Sequence, residues 1–129
     1  MNIFSAFRAH IPTAVPTLLG RVFPVNAVEG FETPYCSYEL TNTNKLQTLD
    51  GYAGETAFDY QFNFWDVSYD AAKAKAEAFW NYINSYRGGF GDCFLEEVEF
   101  INELELSDLA VSKVRFNDIL EIRFKCTKI

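Results

Sequence analysis

Five carboxylates crowd one short stretch of the chain: Glu96, Glu97, Glu99, Glu103 and Glu105. Such a run could supply a general acid and base, or part of a calcium shell. A catalytic acid, however, needs a desolvated pocket to keep its proton. Read as a strand, the segment places Glu97, Glu99, Glu103 and Glu105 on one face. Val98, Phe100, Asn102, Leu104 and Leu106 then share the other, so the acids read as a solvated strand face. The single histidine, His10, lies close to Pro12 with no second histidine or cysteine at ligand spacing, so no metal site is expected. No serine sits in a G-x-S-x-G elbow, and neither glycine-rich nucleotide fingerprint occurs. Gly88-Gly89-Phe90-Gly91 follows a helical segment instead of opening one, so no helix N-terminus waits there for a phosphate. Cys36, Cys93 and Cys126 are odd in number, widely spaced and without a C-x-x-C pair. Cys36 and Cys126 stand in strand-like runs, as small buried apolar fillers do. The expectation is a chain without catalytic residues, cofactor or metal, and not an enzyme.

The elements around these residues come from periodicity. Ile3, Phe4, Ala6 and Phe7 suit a short helix from Asn2 to His10, which Pro12 and Pro16 should end. Arg21 to Pro24 reads as a brief extended piece and residues 25–33 as a surface loop. A strand of four to six residues follows Pro34, from Tyr35 to Leu40. The polar run from Thr41 to Thr48 has no periodicity, and Asp50-Gly51 marks a tight turn. Between Glu55 and Trp65 the aromatics Phe58, Tyr60, Phe62 and Phe64 alternate with Ala57, Asp59, Gln61 and Asn63, the period of a half-buried antiparallel strand. Ser68 is a helix cap and Asp70 favours the positive end of the helix that follows. Over residues 69–87, Ala72, Ala76, Phe79, Trp80, Ile83 and Tyr86 form one face, with Arg87 near the end and Gly88-Gly89 as a left-handed stop. Leu120, Ile122, Phe124 and Cys126 alternate through a closing strand, which pairs most simply with the acidic one as a hairpin. The predicted fold class is α+β: an antiparallel sheet of about four to five strands, one long helix packed on a face, and a short N-terminal helix.

At 129 residues the chain is expected to form one domain, spanning 1–129, with enough core to fold without disulfide or metal. Eighteen acidic against eleven basic residues leave a net charge of −7, which repels nucleic acid overall, and no cluster of Lys and Arg offers a phosphate-binding stripe. No stretch approaches the apolar length of a membrane span and no secretory leader is visible. Thirteen phenylalanines exceed what a small core plainly needs, so some are candidates to face a partner.

Four segments in fixed order carry a family likeness. Gly20-Arg21-Val22-Phe23-Pro24 comes first and Pro34-Tyr35-Cys36-Ser37-Tyr38 second. Phe62-Asn63-Phe64-Trp65 leads into Ser68-Tyr69-Asp70-Ala71-Ala72, and the alternating C-terminal strand closes the set. Over roughly residues 18 to 126 this arrangement resembles the tail-completion (tail-terminator) proteins of long-tailed bacteriophages and prophages. It departs from them in the proline-containing segment 11–17 and the Gly-rich insertion around 88–93. The resemblance implies a structural virion protein, assembled in the bacterial cytoplasm and placed at the virion neck or tail. Six copies would cap the tail tube as a ring, with the tail-tube protein on one side and the head-connector or stopper protein on the other. Genomic DNA would pass through the lumen unbound, and no cofactor or membrane would be involved. Contacts are then expected in the loops 41–54 and 88–94, with Tyr52, Phe90, Phe31, Asp50 and Arg87 as interface candidates. On this reading Phe90→Asp should spare folding and block assembly. A head-closure component of the same neck, and a binding module with a deep apolar pocket, are the alternatives.

Overall fold

The computed structural model describes residues 3–24, 33–48, 51–91, 93–108 and 115–128. The elements run α1 (Ile3–Ala14), a 3-10 turn (Pro16–Leu18), β1 (Val22–Pro24), β2 (Tyr35–Thr48), β3 (Gly51–Asp66), α2 (Tyr69–Ser85), β4 (Gly88–Phe90), β5 (Cys93–Asp108) and β6 (Arg115–Lys128). The strands form one sheet in the order β1-β2-β3-β6-β5-β4. Every described pairing is antiparallel except that of β1, which runs parallel to β2.

This corrects the expected α+β layout of four to five antiparallel strands with one dominant helix. The sheet has six strands, it is mixed, and strand is the prevailing structure. Two short segments make the difference. Val22–Pro24 lies beside Cys36 to Tyr38 and supplies the parallel edge. Gly88–Phe90, which reads as a loop from its glycines, folds back through Gly91 at φ +69 to pair with Cys93, Phe94 and Leu95. Only a residue without Cβ adopts that left-handed conformation at little cost.

Strand length is the other correction. The polar run 41–48 is not a loop: β2 continues through it and pairs with β3 as far as Thr48↔Gly51. Its missing periodicity has a cause in the register, which slips between Leu40 and Asn42 and again between Lys45 and Gln47. The first slip, one residue wide, exchanges inward and outward positions, so no single alternation runs through the strand. At about 3.3 Å per residue β3 is roughly 50 Å long, about twice the length of α2 at 1.5 Å per residue. The β2–β3 hairpin therefore runs past the end of β6, whose pairing with β3 stops at Glu55↔Thr127.

Both helices cover the same face of the sheet. In β3, Tyr60, Phe62 and Phe64 are buried and Phe58 is half-buried, as the period-two pattern requires. Ala72, Ala76, Phe79 and Ile83 bury the predicted stripe of α2, with Trp80 and Tyr86 at its margin. Ser68 caps α2, its Oγ accepting the Ala71 N–H at 3.2 Å. The far end differs from the expected left-handed glycine stop. Tyr86 closes the helix in an extended conformation, and its N–H reaches the Ile83 carbonyl at 3.2 Å.

Helix α1 runs through Pro12 to Ala14 instead of ending near His10. A proline inside a helix forfeits one hydrogen bond and crowds the preceding turn. So near the end the loss is local, and Val15 N–H still reaches the Ile11 carbonyl at 2.8 Å. Ala6, Phe7 and Ile11 are buried, so the helix gains more by docking than Pro12 costs. Phe7 stands at the centre of the core. Its ring meets Tyr60 at 4.7 Å, Phe62 at 5.0 Å, Phe90 and Phe124 at 5.1 Å, and Tyr38 at 5.4 Å, mostly edge to face.

Candidate functional site

The five interface candidates fall in very different places. Phe31 and Asp50 lie outside the described residues. Tyr52 pairs through its backbone with Gln47 near the tip of the β2–β3 hairpin; its side chain is also outside what is described. Arg87 is exposed, and its guanidinium donates to the Asn84 and Tyr86 carbonyls at 3.1 and 2.6 Å, closing its own helix end. Phe90 overturns the expectation of a docking aromatic: it is 0% exposed. It stacks on His10 at 4.3 Å and packs against Phe7, Tyr86 and Phe124. The β4 hairpin turns it inward: Phe90 stands directly opposite Cys93, and cross-strand partners share a face, here the buried one. His10 is spent in the same cluster, with Nδ1 2.8 Å from the Tyr82 hydroxyl, and burial lowers its proton affinity. All three cysteines are buried thiols outside any disulfide, and burial pushes the Cys36 thiol up, away from any nucleophilic role.

Exposed apolar groups gather on β5. Beyond Leu95, β5 has no strand on its outer side among the described residues, so it forms an open edge. Phe100, Ile101 and Leu104 are respectively 45%, 39% and 51% exposed along that edge. Phe100 touches Trp80 of α2 edge to face at 5.3 Å. At the opposite side of the sheet β2 is open beyond Tyr38 in the same sense, and there exposed Leu40 is followed by the exposed polar residues Thr41, Asn42 and Thr43.

The acidic run is divided between the two faces, which corrects the reading of one solvated ladder. Glu97 and Glu99 stand opposite Lys125 and Arg123 on the outer face. Lys125 meets Glu97 at 3.4 Å; Arg123 binds both oxygens of Asp59, at 2.8 and 3.1 Å, and reaches Glu99 at 3.8 Å. The register then slips between Phe100 and Asn102, with Ile101 as the extra residue. From there parity is reversed: Glu103 faces Leu120 and Glu105 faces Asp118, on the helix-covered side. Asn102 and Leu104 turn to the outer face instead.

The reversal assembles a cluster that the sequence reading missed. Asp118 is 2% exposed, and neither of its carboxylate oxygens meets a hydrogen-bond donor. Donor oxygens of Glu103, Glu105 and Asp118 all lie within 4.8 Å of one another. From the first turns of α2, Tyr69 donates its hydroxyl to Glu105, and Lys73 places Nζ 3.2 Å from Glu105 and 3.7 Å from Glu103. Burial first, and the facing Glu103 carboxyl second, push Asp118 up to about 7. A proton could bridge those two carboxyls, but with both ionised no donor remains between them. Glu105 is held below its ordinary value by the Tyr69 hydroxyl and by Lys73, against its own desolvation. One signal for Asp118 was present in the sequence. Continuing the alternation of Phe124, Ile122 and Leu120 by two residues places this acid on the apolar face.

No helix among the described residues is long and apolar enough to cross a membrane. No protein-family model matches the chain, and no curated protein matches it. Among solved structures, the fold is similar to that of a chain in the virion of a native gene transfer agent particle. The TM-score is 0.62 at 16% sequence identity, over 97% of this chain and 91% of that one.

Proposed function

We propose that this chain is a structural virion protein of a long-tailed phage or phage-derived particle. It caps the tail tube as a ring and joins the tail to the head connector. The observation that carries the reading is the likeness of fold, over nearly the full length of both chains, to a component of a gene transfer agent virion. The ordered segments from Gly20 to Cys126 give the finer reading, a tail-completion role, its support.

A ring of identical subunits needs two different, complementary patches on each copy. Two different stretches offer themselves among the described residues: on β2 beyond β1, exposed Leu40 with Thr41, Asn42 and Thr43, and on β5 beyond β4, exposed Phe100, Ile101 and Leu104 among acids. A net charge of −7 suits a lumen through which DNA slides without being held. The ring contacts the tail-tube protein below and the connector or stopper protein above.

Deletion of the gene from its parent phage, followed by electron microscopy of the induced lysate, tests the role. Filled heads beside unjoined tails of irregular or excessive length are the expected result. Normal virions would overturn it.

A further inference from the structure

We propose that Glu103, Glu105 and Asp118 form a binding site for a hard divalent cation, with calcium as the best fit. The inference rests on the geometry of the cluster and is independent of the virion role.

Asp118 has little reason to be where it is without a partner. It is 2% exposed, it lies in β6 in register with Phe64 on one side and Glu105 on the other, and with Glu103 also ionised both its oxygens lack a donor. An uncompensated carboxylate in such a place is costly, and most buried carboxylates are bonded or paired. The Glu103 and Glu105 side chains point toward it only because Ile101 is bulged out of register. A bulge that re-aims side chains beside one buried acid is a feature of functional strands.

Charge and ligand type agree. Three carboxylates face one ammonium, Lys73, so the cluster carries a residual charge of −2 when all are ionised. That is the charge one divalent ion neutralises. The donor set is entirely oxygen, which selects calcium or magnesium over zinc or copper. Calcium accepts irregular geometry and completes its shell with water, whereas magnesium demands a near-ideal octahedron. Carboxylate oxygens within 4.8 Å of one another can share one calcium at 2.3–2.6 Å with small side-chain adjustments. The exposed Glu105 gives the ion an entry path, and Lys73, on a flexible stem at the surface, can swing toward Glu77, 3.9 Å away.

The test is calorimetric titration of the chelator-stripped chain with calcium chloride, alongside its thermal unfolding in calcium and in EDTA. One ion per chain and a higher melting temperature in calcium are expected. Asp118→Asn should weaken binding at least tenfold, and Lys73→Met should tighten it by removing the competing ammonium. Glu97→Gln, on the outer face, should leave binding unchanged. If Asp118→Asn does not fold, Glu103→Gln replaces it, with the same expected loss. No heat and no thermal shift up to 10 mM calcium (~10⁻² M, beyond the weakest extracellular sites) would overturn the site. So would binding that survives Asp118→Asn, or that Glu97→Gln weakens equally.

Discussion

Phe90 and Asp118 are buried to nearly the same degree, and their chemistry makes opposite demands on the fold. Phe90 fills a space bounded by His10, Phe7, Tyr86 and Phe124. Phe90→Asp would put an unpaired carboxylate among four rings, at a cost of at least ~3–5 kcal/mol. The variant is therefore expected to be unfolded by circular dichroism at 25 °C, in place of a folded protein impaired in assembly. A cooperative melt close to that of the parent would refute this. Asp118 makes stability depend on pH. Glu103 and Glu105 face it from β5, and Lys73 faces it from α2. Its folded value is raised from 3.8 to about 7, so between these the folded chain holds a proton that the unfolded chain has released. In EDTA, stability should then be greatest at the acidic end of the window and fall as pH rises through it, levelling above 7. Urea unfolding at pH 5 and pH 8 should show a loss on the order of 2 kcal/mol beyond that of Asp118→Asn. Equal losses in the two proteins would remove Asp118 as the cause.

At the level of single elements, open β5 is the surface most easily blocked. A long exposed strand edge with apolar side chains is a template for another chain. Leu104, half exposed on the outer face, can become Lys with little effect on the fold, within about 0.5 kcal/mol. A phage carrying Leu104→Lys should make folded, soluble protein yet leave heads and tails unjoined in electron micrographs. Normal particles would exclude this edge as a contact. The elements also show what the sequence could carry. Helix α2 was legible because Ser68, the alanines and the Ala72–Ile83 stripe all agree, and β3 because four aromatics alternate without interruption. The distal half of β2 and the split of the acidic face were not. Both depend on register slips at residues whose types do not announce a bulge, Thr41 and Ile101. The candidate site fared worse still: its acids were visible, but which of them share a face is decided by one extra residue. Phe90 misled because glycine neighbours suggest a loop, whereas here they make a hairpin that turns the ring inward.

Among the described residues both helices lie on one face of the sheet, which leaves the other face to its charges. That outer face is laced by Asp59, Arg123, Glu99, Lys125 and Glu97. Such a network is worth little to stability in water, so its arrangement matters more for which surfaces can approach it. The central place of Phe7 carries a consequence of another kind. It belongs to α1, yet its ring meets Phe124 of β6, an element far away in the sequence. The core is thus closed between elements far apart in the sequence, and the strands between them cannot complete it alone. Such long-range closure must bear its loop entropy before the contacts that reward it exist, which slows folding. Synthesis sets the clock: until β6 emerges, the apolar face of α1 can meet β2, β3 and β4 but still lacks the wall that Phe124 supplies.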